Sequence, residues 1–486
     1  MAINWTEADI EKVVASVLKN LGSDTAAKAD TEWSSTGYGA RRFIGVYTDM
    51  NDAIEAATRG YKAIRAMSLE EREKVIAIIR DLTRKEAPIM AKIGVAETKM
   101  GRVDHKIAKH NLVADKTPGT SDIVAQAKTG DYGLTLTEMA PFGVVGSITP
   151  STNPSETVIC NSIGMIAAGN GVVFNPHPGA ISTSNYAVDL INRASAMAGG
   201  PEVLVASVAK PTLDTANVMY KHPAIRLLVC TGGPGVVKSV LSSGKKAIGA
   251  GAGNPPVIVD DTANIQKAAK DIIDGCTFDN NLPCIAEKEV FAFDNIADEL
   301  IDSMLAAGAY KIDKATADKL VNIVLEDKKN PKTGVITKTV SRECVGRDAK
   351  VILAKIGIHV GDEVRCIICE TEFEHPFVQH ELMMPILPIV RVKNIDEAID
   401  LAVKAEHGNR HTAHMHSKNI DHLTRFARAV ETTIFVKNAP SYAGIGFGGE
   451  GHTTFTIAGP TGEGITSARS FTRYRRCVLS ESFRII

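Results

Sequence analysis

The chain is poor in cysteine, balanced in charge and without a long apolar run, and each shortage removes a class of protein. Eight Cys in 486 residues are too few for a disulfide framework. No secretory apolar segment opens the sequence, so a reducing cytoplasm is the expected compartment. Lys and Arg number 55 against 56 Asp and Glu, a net charge of −1. That balance excludes a basic nucleic-acid groove covering the surface and a binder of anionic lipid. The longest stretch without Asp, Glu, Lys or Arg runs from Thr157 to Val188. It holds Asn161, Asn170, Asn175, Pro176, His177 and Pro178, whereas a membrane span needs about 20 predominantly apolar residues. The 40 Gly and 20 Pro are near-average and exclude a collagenous or globally disordered chain.

The stock motifs are also missing. Gly444, Gly446 and Gly449 match G-x-G-x-x-G, but more Gly and a Thr-rich stretch follow instead of a helix. There is no P-loop; the nearest candidate, Ser242–Lys246, lacks the first Gly and the Ser or Thr. Cys366 and Cys369 form C-x-x-C inside an apolar run and fall on opposite faces of a strand, which favours burial over redox or zinc chemistry. His407, His411, His414 and His416 have metal-like spacing. A helix from about Ile395 to Gly408 and a strand from about His411 would turn His411 and His414 to opposite faces, so no metal site is expected.

What is present is strand–helix alternation. Residues 4–21 carry Ile10, Val13, Val14, Val17, Leu18 and Leu21 at helical spacing, with Thr6 and Asp9 resembling a capping box. A small, polar linker follows over 22–40. A tethered helix cannot bury its face alone, so it either packs back on the body or docks into a partner. From about Arg41 the chain is helical. Then VVGSIT, GVVF, VLVASVA, IRLLVC and PVIVD alternate with helices, and EVFAF, VILAK, EVRCIICE, PILPIVRV, HTAHMHS and TIFVK form a second series of strands. The buried helix Glu156–Ala168 precedes the strand Gly171–Phe174, and SFTRYRRCVLS reads as an isolated basic strand. The alternation predicts an α/β protein with doubly wound, mostly parallel sheets.

Four segments carry chemistry together. They are residues 141–178 with PFGVVGSITPSTNPSE, TGGPG at 231–235, GAGAGNPPVIVDDTA through FDNNLPCIAEK at 249–288, and ELMMPILPIVRV at 381–392. With IFVKN, GIGFGGEG and PTGEGITSAR they resemble the aldehyde dehydrogenase superfamily from about residue 41 onward. Within it they are most similar to the CoA-acylating branch of propionaldehyde and acetaldehyde dehydrogenases from bacterial microcompartments.

The resemblance implies a Rossmann-like cofactor domain over 41–252, with 123–142 contributing to oligomerisation. A catalytic domain over 253–437 and a return segment with an oligomerisation strand over 438–486 would follow. It implies Cys284 as nucleophile, because a thiolate turns an aldehyde into a thiohemiacetal able to give up hydride, and some lowering of its pKa is expected. Asn153 falls at the oxyanion donor, with the Cys284 backbone N–H as second donor. NAD, or NADP, would lie along Thr149, Pro150 and Ser151 on the nicotinamide side and Asn175, Pro176 and His177 on the ribose side. Gly232 and Gly233 would meet the pyrophosphate and Glu381 the nicotinamide ribose. Hydrolytic relatives carry a general-base Glu where this chain has Ala250, so water is poorly activated and the CoA thiol can take the acyl group. His411 is either the base for CoA or a structural histidine. The expected reaction converts a short aldehyde, propionaldehyde before acetaldehyde, with CoA and NAD⁺ to acyl-CoA and NADH. A hydrolytic dehydrogenase and a non-catalytic scaffold are the rivals. By the same resemblance, residues 1–21 would dock to microcompartment shell or cargo, and the chain would form a homodimer or homotetramer.

Overall fold

The computed structural model describes residues 43–329, 334 and 336–483, so the segment 1–21 and the linker 22–40 lie outside the described residues. The chain divides into two compact units. One gathers the chain up to Thr98, Ile107–Ala250 and the chain from His452; the other joins Lys99–Lys106 to Gly251–Gly451.

The first unit is built on a six-stranded parallel sheet. Its order is Val46–Tyr47, Val205–Val208, Gly171–Asn175, Val144–Ile148, Ile225–Thr231 and Lys246–Ala250. Val144–Ile148 and Gly171–Asn175 are buried at every residue, which is why their sequences run apolar without alternation. The helix Pro154–Ala167 is likewise buried along its whole length. Pro154 opens it and Gly169, at φ +82°, lies just beyond its end, close to the expected Glu156–Ala168. Counting from Val144–Ile148, the strands lie in the doubly wound order 3-2-1-4-5, with a switch point between Val144–Ile148 and Ile225–Thr231. Lys246–Ala250 was not among the expected strands; its exposed first residue shortens the apolar signal.

A separate three-stranded antiparallel sheet in this unit joins Gln126–Gly130, Gly133–Pro141 and Thr472–Ser480. The basic tail strand is therefore not isolated: all nine of its residues register against Gly133–Pro141, while every one after Thr472 is exposed.

The second unit holds a seven-stranded parallel sheet ordered Ala309–Ile312, Cys366–Glu370, Ile386–Val392, Glu289–Phe293, Pro256–Val259, Thr412–His416 and Ile434–Lys437. One expected strand is corrected. VILAK belongs to the helix Ala349–Ala354, where Ala349, Ile352 and Leu353 are buried at i, i+3 and i+4 and Gly357 follows the end. Cys366 and Cys369 lie in one strand, both buried and in two different apolar clusters, so they sit on opposite faces.

Candidate active site

In the first unit, the residues expected to meet a dinucleotide cap the carboxyl ends of neighbouring strands. Thr149, Pro150 and Ser151 follow Val144–Ile148, Gly232 and Gly233 follow Ile225–Thr231, and Asn175, Pro176 and His177 end the adjacent Gly171–Asn175. This is the crevice where open α/β sheets take ligands. The buried Thr149 Oγ1 has no hydrogen-bond partner among the described residues, an orphan that a ligand would satisfy. A Cβ at Gly233 or Gly235 would meet nothing within 4 Å, which leaves the start of the helix Pro234–Leu241 open to an approaching phosphate. Asn175 accepts from Thr215 Oγ1 at 2.7 Å, and the exposed His177 accepts from Gly179 N through Nδ1 at 3.0 Å. The orphaned Thr149 hydroxyl and the open helix start fit a dinucleotide cofactor. Ala250 closes the strand Lys246–Ala250 and is buried, its carbonyl accepting from Gly232 N.

Asn153 is the N-cap of Pro154–Ala167, yet its side chain makes no capping bond. Its Oδ1 accepts from Lys109 Nζ at 2.5 Å instead, and Lys109 pairs with Glu156 at 2.9 Å, both fully buried.

In the second unit, the loop before Cys284 is shaped by three consecutive left-handed residues, Asp279, Asn280 and Asn281, at φ 49°, 54° and 65°. Asp and Asn are the non-glycine residues that enter this region most readily, which explains the FDNN sequence. Each is pinned. Asp279 accepts from Arg102 N at 2.8 Å and Lys106 Nζ at 3.0 Å, and its own N–H donates to His105 Nδ1. Asn280 Nδ2 donates to Gly346 O and Asp348 Oδ1. Asn281 Nδ2 donates to Cys276 O and Glu287 O, while its Oδ1 accepts from the buried Lys288. Strain of order 1–3 kcal/mol per left-handed residue persists only under such over-determination.

Cys284, Glu381 and His411 precede the amino ends of Glu289–Phe293, Ile386–Val392 and Thr412–His416, and they gather about Gly253, which precedes Pro256–Val259, the strand between Glu289–Phe293 and Thr412–His416. A Cβ built on Gly253 would lie 2.8 Å from Cys284 O and 2.9 Å from His411 Cγ, and the Gly253 backbone hydrogen-bonds Glu381. Six of the eight cysteines are buried, Cys477 is exposed, and Cys284 alone is partly exposed.

The electrostatics differ from expectation at the thiol. Burial pushes Cys284 up to about 12, the Glu381 charge adds to the rise, and Lys288 opposes it. The expected lowering is absent because a dry pocket disfavours the thiolate more than one buried cation favours it. Burial also raises Glu381, against the charge of Lys288. His411 is driven down to about 4 by burial, with Lys288 adding, so its imidazole is neutral at physiological pH. Its Nδ1 contacts Thr412 Oγ1 at 2.8 Å, and its buried Nε2 has no hydrogen-bond partner among the described residues. A neutral imidazole with a free nitrogen can accept a proton.

His414 and His416 are buried and pushed down to about 3, while His407 is exposed and contacts Gln379 O. Among the described residues no three His, Cys, Asp or Glu are arranged to hold a metal ion. Sequence reading missed Lys109, Lys288 and Glu287. The run Glu287-Lys288-Glu289 against the apolar strand VFAF is the one local signal, because charges adjoining a buried strand demand partners.

Comparison with known proteins identifies the family. The model of the aldehyde dehydrogenase family matches residues 45–475. The acetaldehyde dehydrogenase (acetylating) EutE of Salmonella typhimurium is 48% identical over 481 residues, covering 99% of this chain and 100% of its own. A propionaldehyde dehydrogenase from the Clostridium phytofermentans fucose utilisation bacterial microcompartment is 59% identical at a TM-score of 0.88, over 91% of this chain and 100% of its own. The Rhodopseudomonas palustris propionaldehyde dehydrogenase, solved with bound CoA and an acylated cysteine, is 53% identical at a TM-score of 0.86, over 90% of this chain and 98% of its own. With the family model spanning nearly all of the described residues, this chain belongs to the aldehyde dehydrogenase family.

Proposed function

We propose that the chain is a CoA-acylating aldehyde dehydrogenase: aldehyde, CoA and NAD⁺ give acyl-CoA, NADH and a proton. The observation that carries this reading is the grouping of the partly exposed Cys284, the Glu381 carboxylate and the neutral His411 about Gly253. An engineered glycolyl-CoA reductase solved with bound NADP⁺ supports it, as does the relative solved with bound CoA and an acylated cysteine. NAD(P) accepts the hydride when bound, and Thr149, Pro150, Ser151, Gly232, Gly233, Asn175, Pro176, His177 and Glu381 are the residues assigned to hold it.

The Cys284 thiol loses its proton, the one released in the net reaction, as Sγ adds to the aldehyde carbon, and Asn153 supplies an amide donor to the oxygen that becomes negative. Hydride leaves and a thioester remains on Cys284. With Ala250 in place of a carboxylate base, water is a poor competitor. The CoA thiol gives its proton to His411 Nε2 and takes the acyl group; the acyl–Sγ bond breaks, and the departing Cys284 thiolate recovers that proton. The substrate is a short aliphatic aldehyde. Propionaldehyde is favoured by the more identical microcompartment relative, while the acetylating relative of comparable coverage keeps acetaldehyde as the second reading.

Microcompartment localisation, with residues 1–21 docking to shell or cargo, is part of the same proposal. So is a homodimer or homotetramer joined through Thr472–Ser480, whose exposed residues are free to pair further. Among the described residues no helix is long and apolar enough to cross a membrane.

The test measures product with and without CoA, and turnover of Cys284→Ala. Acyl-CoA formed only with CoA and lost in the variant is expected. Free acid at full rate without CoA overturns the CoA-acylating reading, and full activity of Cys284→Ala overturns the nucleophile.

A further inference from the structure

We propose that Lys109 is a positioning residue: its ammonium holds Oδ1 of Asn153 so that the amide N–H of Asn153 is aimed at the oxygen of the reacting carbonyl. This rests on the reading of Asn153 as the oxyanion donor.

The other Asn N-caps show what Asn153 forgoes. Asn264, Asn394 and Asn419 each spend their side-chain oxygen on backbone N–H groups of the first helical turn. Asn153 occupies the same position before Pro154 but makes no such bond, at φ −136° and ψ 61°. Its oxygen is taken by Lys109 at 2.5 Å. An ammonium donates and never accepts, so the amide oxygen must face Lys109 and Nδ2 must face away from it. A flipped amide would set N–H against N–H. Lys109 thus fixes which end of the amide is presented.

Burial makes this arrangement expensive. The Lys109 side chain is 0% exposed and its partner Glu156 1%. A buried ion pair gains little over apolar residues of similar volume, so a pair placed on one amide is poorly explained by packing alone. The neighbouring contact of His110 Nε2 with Ser155 Oγ, at 2.8 Å, braces the same helix start. A cation on the carbonyl oxygen also polarises the amide and strengthens its N–H as a donor. One Nδ2 hydrogen of Asn153 is directed to Thr152 Oγ1 at 3.4 Å, and the other is the donor that the proposal assigns to the oxyanion.

The experiment uses the full chain with NAD⁺ and aldehyde but no CoA, and follows the single-turnover rate of NADH formation. Lys109→Met is paired with Glu156→Gln so that no lone carboxylate is left buried. Expected are a fall of about tenfold or more in that rate, unchanged NAD⁺ affinity and unchanged Cys284 alkylation. Adding Asn153→Ala to this pair should cost nothing beyond Asn153→Ala alone. Equal losses from the Lys109 pair with Asn153 present or replaced would mean a general structural role and overturn the proposal. So would an unchanged rate in the Lys109 pair beside a slow Asn153→Ala. An unchanged rate in Asn153→Ala would instead overturn the reading of Asn153 on which the proposal rests. If the pair folds poorly, Lys109→Gln decides, because it keeps a donor without the charge. Its NADH-forming rate should lie between wild type and Asn153→Ala with KM for NAD⁺ unmoved; a loss confined to KM overturns the proposal.

Discussion

Gly253 lies against His411 so closely that a methyl group in place of its hydrogen would come within 2.9 Å of the ring Cγ. The same methyl would approach the Cys284 carbonyl oxygen to 2.8 Å, and that backbone cannot swing aside like a flexible side chain. Gly253→Ala should therefore keep the fold, judged by thermal unfolding within a few degrees of wild type, and lose about tenfold or more in kcat as Cys284 and His411 are pushed apart. Wild-type kcat in this variant would show that the close approach does not position the pair.

The thiol of Cys284 makes a second expectation. Burial favours its neutral form, so the thiolate population grows as pH rises toward about 12. Iodoacetamide alkylation of the cofactor-free protein should quicken by about tenfold per pH unit from pH 7 to 10, since the thiolate is the nucleophile. A plateau below pH 8 would mean that the thiol is already ionised and that Lys288 outweighs burial.

His411 separates the two halves of the reaction. With a pKa near 4 it is neutral above pH 5, so its own titration should put no limb in the acyl-transfer profile between pH 5.5 and 8. His411→Asn should still release one equivalent of NADH per Cys284 in a burst, while turnover with CoA falls by about a hundredfold or more. Equal loss of burst rate and turnover would assign His411 to the hydride half instead.

Glu287 tests the electrostatics of the loop core. It is buried, accepts from Ser441 N at 2.8 Å, and is pushed up to about 8, chiefly by burial. Its folded pKa exceeds the ordinary value of 4.5, so the folded chain holds a proton that the unfolded chain has released. The associated stability is complete below about pH 4.5 and is lost as pH rises through about 8. Glu287→Gln should accordingly flatten the fall in melting temperature between pH 5 and 8 and melt several degrees above wild type at pH 8. A parallel pH dependence in the two proteins would contradict this.

Much of this was legible in single segments. VVGSI and GVVFN are uninterrupted apolar runs because both faces of a central parallel strand are buried, and the two strands form where the runs lie. Cys284 was named by the family resemblance, within a polar, Asx-rich loop. VILAK did not, since a five-residue apolar run cannot by itself separate a strand from a short helix. Lys246–Ala250 and Ala309–Ile312 were missed because edge strands carry polar, exposed residues that blur the pattern.

Most of the order of strands and helices, the choice of Asp and Asn at positions 279–281 and the alanine at position 250 are local properties of the chain. Backbone preference and burial periodicity act over a few residues, so sequence by itself determined them. The state of each charged group was decided elsewhere. Lys109 and Asn153 are 44 residues apart, and Gly253 and His411 come from distant segments. Whether a buried ammonium orients an amide, or a histidine stays neutral, depends on which partners the tertiary structure brings within about 3 Å and how completely it excludes water. Coulomb and desolvation energies are set by that distance and that dielectric, and neither is written in sequence spacing.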